Sequence, residues 1–217
     1  MKVSEAILLR KSVRQFLKDP VPNSLLRSLL EKASRSPSGG NLQPWHIYVI
    51  NEASMKDFLS FQDSWKEPEV PAYEIYPHKL KEPYRTYRYE LGEEMYSLLG
   101  IPREDKDARV NQVLKNFTFF GAPAAIFCFI DKSMGPPQWS DLGMFLQSFM
   151  LLAQEHGLDT CAQEAWSIKQ DSIKSFFSVD DDLMLFCGMA IGFQDKDAKI
   201  NKLQSKRSPI ENWATFF

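Results

Sequence analysis

At 217 residues, 44% apolar and 25% charged, with a formal net charge of −2, the chain has an ordinary globular make-up and is long enough to bury a real core. That charge gives no reason to expect nucleic acid or an anionic membrane as a partner, and no apolar run approaches the length of a bilayer span. Cys128, Cys161 and Cys187 share no CxxC spacing, the histidines are equally dispersed, and charge soon interrupts the apolar run of MKVSEAILLRK. A metal site and a signal peptide are therefore not expected, and a reducing cytoplasm is.

In chain order, Ser4 is expected to cap a short helix over Glu5 to Leu9, which breaks at RKSVRQF. After Pro20 and Pro22, a second helix carries Leu25, Leu26, Leu29, Leu30 and Ala33 on one face. It ends at SPSGGNLQPWH, Ser36 to His46, where adjacent glycines permit close backbone approach or simply form a connecting loop. HIYVI reads as a strand and ASMKDFLSF as a helix. From Gln62 to about Pro83 the chain is rich in proline, aromatics and charge, without a period. This is too long for a routine connection and reads as the start of an excursion or lid over about 62–115. Helices resume at about Tyr87–Leu99 and Asp105–Phe119.

GAP at Gly121 to Pro123 launches AAIFCFI, an apolar strand of the kind covered on both faces. The longest helix follows, about Gln138 to His156, with apolar residues on more than one side and Gly157 as its C′ residue. Gly143, within it, suggests close helix packing. LDTCAQEAW reads as a short strand and turn, IKQDSIKSFF as a helix, and LMLFCGMAIGF as a last buried strand. The C-terminal arm, about 200–217, ends in the apolar NWATFF. Helices and strands mix without regular βαβ alternation, so the fold class is α+β in a single domain over 1–217.

RKSVR places Arg10, Lys11, Ser12 and Arg14 within five residues. In extended backbone, Arg10, Ser12 and Arg14 share one side, where guanidinium forks and a hydroxyl suit a phosphate; a solvated basic face is the other reading. Ser205, Lys206 and Arg207 form a second basic cluster near the far terminus. No Walker motif or GxGxxG follows the first strand. Ser38 lacks a GxSxG context, and no histidine has an evident carboxylate partner, so no nucleophilic triad is supported. Glu164 is open to acid–base work or to plain solvation.

Taken together, RKSVRQF, PSGGNLQPWHIYVI, GAPAAIFCF, a long helix leading to GLDTCAQEAW, and R-S-P near the C-terminus resemble the FMN-dependent nitroreductase family. The excursion, with YPHKLKEPYR and NFTFFGAP, is similar to the branch related to nitrobenzoate reductases. The resemblance implies a central mixed sheet flanked by helices in a domain-swapped homodimer, with FMN at the subunit interface. It implies that Arg10, Ser12 and Arg207 hold the phosphate and ribityl end, with a contribution from Lys11. Arg14 would lie near the pyrimidine edge, and Pro37, Ser38, Gly39 and Asn41 of the other subunit would cover the ring. Gln163 and Glu164 match the turn whose backbone N–H groups face the flavin. The segment that carries further ring-edge ligands in the family is replaced by the excursion, in which their equivalents are not assigned and Arg85 or Arg88 is a candidate.

The implied reaction is ping-pong: NADH or NADPH reduces the flavin at N5, and a flat nitroaromatic or quinone acceptor then occupies the same face. No side-chain nucleophile is required, which agrees with the absence of a triad. Two other readings remain at this stage, a reductive dehalogenase-like flavoenzyme and a non-catalytic flavin-binding store or sensor.

Overall fold

The computed structural model describes residues 1–217. The chain opens with α1 (Val3–Leu9) and α2 (Asn23–Ala33), then continues through β1 (His46–Asn51), α3 (Glu52–Ser64), α4 (Tyr84–Leu99) and α5 (Lys106–Leu114). It closes with β2 (Ala124–Asp131), α6 (Pro136–Glu155), β3 (Asp159–Gln163), α7 (Gln170–Phe177) and β4 (Leu183–Gly192). The strands form one sheet in the order β1-β2-β4-β3. Every pairing among them is antiparallel, so the sheet is not the mixed one expected. The parallel component is a single bridge, Ser12 to Thr160, made by the segment that follows α1.

β2 is buried from Ala124 to Ile130 because both faces of the sheet are covered. On one face Phe58, Phe119, Phe127, Phe129 and Trp166 form an aromatic core. On the other, Leu26 and Leu29 of α2 meet Phe145 and Phe149 of α6. The expected apolar face of α2 is thus correct, with Leu25 and Leu30 at its half-buried margin. Gly188 lets Trp166 lie flat on β4: a Cβ there would come within 2.4 Å of the indole Cδ1. The β2–β4 register slips between Cys128 and Phe129, leaving Phe186 as an unpaired bulge residue.

Two local expectations are corrected. Ser4 lies inside α1 and not at its cap: the helix starts at Val3, and the Lys2 N–H donates to the Glu5 carboxylate at 2.9 Å. Gly143 meets no close neighbour within the chain and lies exposed on α6, so close packing does not explain it here. Gly157 does take the left-handed φ of +71° that ends α6. The second helix of the excursion stops at Leu114, short of the expected Phe119. Phe119, Phe120 and Gly121 adopt positive φ of 50°, 54° and 79°, which turns the chain abruptly into β2. No helix is long and apolar enough to cross a membrane.

Candidate functional site at the meeting of the two termini

After α1 the chain runs extended along the end of the sheet. The Val13 N–H donates to the Thr160 carbonyl at 3.1 Å, and the Leu17 N–H to that of Phe193 at 2.8 Å. Val13 and Phe16 are buried, while Ser12 and Arg14 are only half-buried, as alternation along an extended segment requires. Ser12 is bridged to Thr160 of β3, and the next residue, Cys161, is buried. Burial pushes the Cys161 thiol up, while Arg14, the Ser12 hydroxyl and Arg10, in that order, act against the shift. Of these three residues, Arg10 lines the cavity described below, whereas Ser12 and Arg14 do not.

A residue that the sequence did not single out makes this geometry rigid. Asn201, 3% exposed, lies in the 3-10 turn Lys199–Lys202. Its Oδ1 accepts from the Arg14 N–H at 2.8 Å, and its Nδ2 donates to the carbonyls of Gln15 and Asp195, each at 2.8 Å. The Lys11 ammonium donates to the Asn201 carbonyl. The C-terminal segment is thereby bolted to the N-terminal cations. Arg10, Lys11, Ser205 and Arg207 consequently line one open cavity of about 1400 Å³. Ser205, and not Lys206, shares that cavity with Arg207, whose guanidinium donates to the Ser205 Oγ at 2.7 Å. Asp159, Asp195 and Asp197 line it too, so its cations are local rather than part of a uniform positive field.

β3 carries the chain from this cluster into the Gln163–Glu164 turn. Gln163 is buried and its Nε2 donates to the Asn116 carbonyl at 2.8 Å, whereas the Glu164 carboxylate is exposed. The Gln163 side chain thus faces inward and serves the fold. Two polar atoms of this strand, Thr160 Oγ1 and Gln163 Oε1, are buried without a partner in the chain.

The structure does not bring the Pro37–Asn41 loop to the cations of its own chain. The loop leans on α6, where the Gly39 N–H donates to Asp141 Oδ2 at 3.2 Å, and Ser38 Oγ accepts from the Gln43 N–H at 3.0 Å. Gly40 and Asn41 take φ of 58° and 59°, and a Cβ on Gly40 would meet nothing. The loop therefore presents bare, sharply turned backbone outward. Neither Arg85 nor Arg88 lines the cavity: Arg85 pairs with Glu82 at 2.6 Å, and Arg88 sits 4.3 Å from the Tyr76 ring centre.

A cluster of cations drawn from both chain ends thus lies beside a sheet edge that leads into a tight turn, on an α+β scaffold. The chain belongs to the nitroreductase family, whose model matches residues 7–193. It is 34% identical over 209 residues to 4-nitrobenzoate reductase of Pseudomonas putida, covering 95% of this chain and 92% of that protein. It is 33% identical over 222 residues to nitrobenzene nitroreductase of Ectopseudomonas oleovorans, covering 99% and 96% respectively. Among solved structures, the FMN and NADPH-dependent nitroreductase NfnB from Sphigopyxis sp. strain HMH superposes with a TM-score of 0.93. It is 39% identical and is matched over 100% of this chain and 99% of its own.

Proposed function

We propose that the chain is a homodimeric flavoenzyme that binds FMN and uses NADH or NADPH to reduce nitroaromatic or quinone-type acceptors. The observation that carries this reading is the Asn201 clamp, which holds the cations of the first and last segments at one cavity. Full-length similarity to nitroreductases of nitrobenzene and 4-nitrobenzoate supports nitroaromatics as the acceptor class over the dehalogenase or store readings.

The residues present suit FMN. Arg10, Lys11 and Arg207, which line the cavity, would supply charge-assisted donors for a phosphate dianion, and the half-buried Ser12 beside them would add a hydroxyl. The orphaned Thr160 Oγ1 lies at the residue bridged to Ser12, an unmet hydrogen bond of the kind a ligand or ordered water satisfies. Arg14, whose main-chain N–H is held by Asn201, would stand at the pyrimidine edge, where a cation favours the charge of the reduced ring. Bound there, FMN supplies the two-electron chemistry between nicotinamide and acceptor. Backbone N–H groups of Gln163 and Glu164 would orient the ring, leaving the Glu164 carboxylate no acid–base duty. Pro37, Ser38, Gly39 and Asn41 of the second copy would cover it and exclude water.

The same arrangement supports a dimer, since the loop contacts α6 and none of its residues lines the cavity of its own chain's cations. Trp213, Phe216 and Phe217 of the arm are exposed, as are Ile7, Leu8 and Leu9 of α1; a partner subunit would bury them. We read the 217 residues as one domain with the excursion as its lid, housed in the reducing cytoplasm where its three buried thiols stay free. The test is anaerobic addition of NADH or NADPH to the FMN-loaded protein. Bleaching of the flavin within seconds, reversed by 4-nitrobenzoate or a quinone, supports the function. A flavin indifferent to both nicotinamides would favour a store or sensor.

A further inference from the structure

Beyond its role as a lid, the excursion is fastened to the body by a short strap, and the fastening falls on the back of the Gln163–Glu164 turn. The Glu69 carboxylate accepts from the Asp171 N–H at 3.0 Å and the Ser172 N–H at 3.3 Å, capping α7 from outside. The Val70 N–H donates to the Asp171 carboxylate at 2.7 Å, and the Ala72 N–H to the Ser167 carbonyl at 2.9 Å. Tyr73 completes the strap. Its hydroxyl donates to the carbonyl of Phe186, and its ring packs against Trp139 and Phe186, with centroids 5.6 and 6.4 Å away.

Phe186 is the bulge residue, the one point on β4 where the ladder to β2 is broken. Two residues further on, Gly188 pairs with Gln163 across β3 and β4 and carries Trp166 against its bare Cα. The strap therefore grips both sides of the turn at once: Ala72 holds Ser167 after it, and Tyr73 holds the strand on which it is registered. Burial pushes the Tyr73 phenol up, with Cys187 and Glu164 acting in the same direction and the Ser167 hydroxyl against it. After Tyr73, residues 74–83 have no regular structure, and α4, which contains no buried residue, meets the C-terminal segment at the Lys199–Lys202 turn and through the Tyr87 hydroxyl, which donates to Ser208 Oγ at 3.0 Å.

We propose that Tyr73 is a positioning residue: by bonding the Phe186 carbonyl at the β4 bulge, it fixes the Gln163–Glu164 turn and links the foot of the lid to that turn. The inference rests on the reading that this turn faces FMN, but its first test does not. Hydrogen exchange of the full-length protein without added flavin is compared for the parent, Tyr73→Phe and Tyr76→Phe, the last altering an exposed tyrosine of the same excursion. Tyr73→Phe should speed exchange of the amides in 162–168 by about three- to tenfold, the range for one net hydrogen bond, and leave 46–51 unchanged; Tyr76→Phe should change neither. The second readout is the midpoint potential of bound FMN, which should move in Tyr73→Phe and not in Tyr76→Phe. Unchanged exchange in 162–168, or equal acceleration throughout the chain, overturns the positioning role. Faster local exchange with an unaltered potential overturns the link to the cofactor. If the parent does not bind FMN, the proposed function fails, while the exchange comparison still decides whether Tyr73 holds the turn.

Discussion

Asn201→Ala is the most informative single change for the architecture of the site. The side chain makes three hydrogen bonds at 2.8 Å, one from the Arg14 N–H and two to the Gln15 and Asp195 carbonyls. At about 0.5–1.5 kcal/mol net for each bond, the loss should be about 1.5–4.5 kcal/mol. The upper part of that range is expected because Asn201 is 3% exposed, so water does not readily replace it. The Lys11 ammonium bonds the Asn201 main chain and keeps its partner in the variant. Asn201→Asp retains an acceptor for Arg14 but sets a carboxylate against two carbonyl oxygens, and should be at least as destabilising. Urea unfolding of the FMN-free protein reads the stability, and FMN titration reads the site. An alanine variant within about 0.5 kcal/mol of the parent, with unaltered FMN affinity, would refute the clamp.

Arg207→Ala should weaken FMN binding by about 1.5–3 kcal/mol, the value of a charged hydrogen bond, without lowering the unfolding midpoint. Its guanidinium bonds only to Ser205 and Lys206 of the exposed arm, so nothing in the core depends on it. Gly188→Ala should cost about 1–3 kcal/mol or more by driving a methyl into Trp166, and tryptophan fluorescence during denaturation would report it. Burial, assisted by Glu164, pushes the Cys187 thiol from the ordinary 9.0 to about 12. The unfolded chain releases this proton near pH 9 while the folded one holds it. Stability should therefore be unaffected by this group below that pH and fall between about 9 and 12. Denaturation midpoints across that window should flatten in Cys187→Ala.

Several features were legible in the sequence because local chemistry specifies them. Continuous apolar runs such as AAIFCFI are stable only when covered on both faces, and β2 is covered. RKSVR in extended backbone had to separate Val13 from Ser12 and Arg14, and it does. The SGGN loop was recognisable as unusually bare backbone, and the positive φ values of Gly40 and Asn41 agree. What could not be read depends on residues far apart in the chain. Asn201 is one asparagine in DAKINK, without periodicity, and its importance comes from partners up to 190 residues away. Glu69 is similarly silent until α7, more than a hundred residues later, presents its first amides. The sense of the sheet also escaped, because a connection as long as that between β1 and β2 can return a strand in either direction. Gly143 was explained by packing that one chain does not contain.

The central claim is that cations from the two ends of one polypeptide form a single phosphate-binding site for FMN. Fluorescence titration of the FMN-free protein with FMN, in parallel with riboflavin, tests it most directly. The account predicts saturation at one FMN per chain, with riboflavin far weaker because it lacks the dianion, and a gap between the two that shrinks in Arg207→Ala. Equal affinity for FMN and riboflavin, or no binding of either, would contradict it.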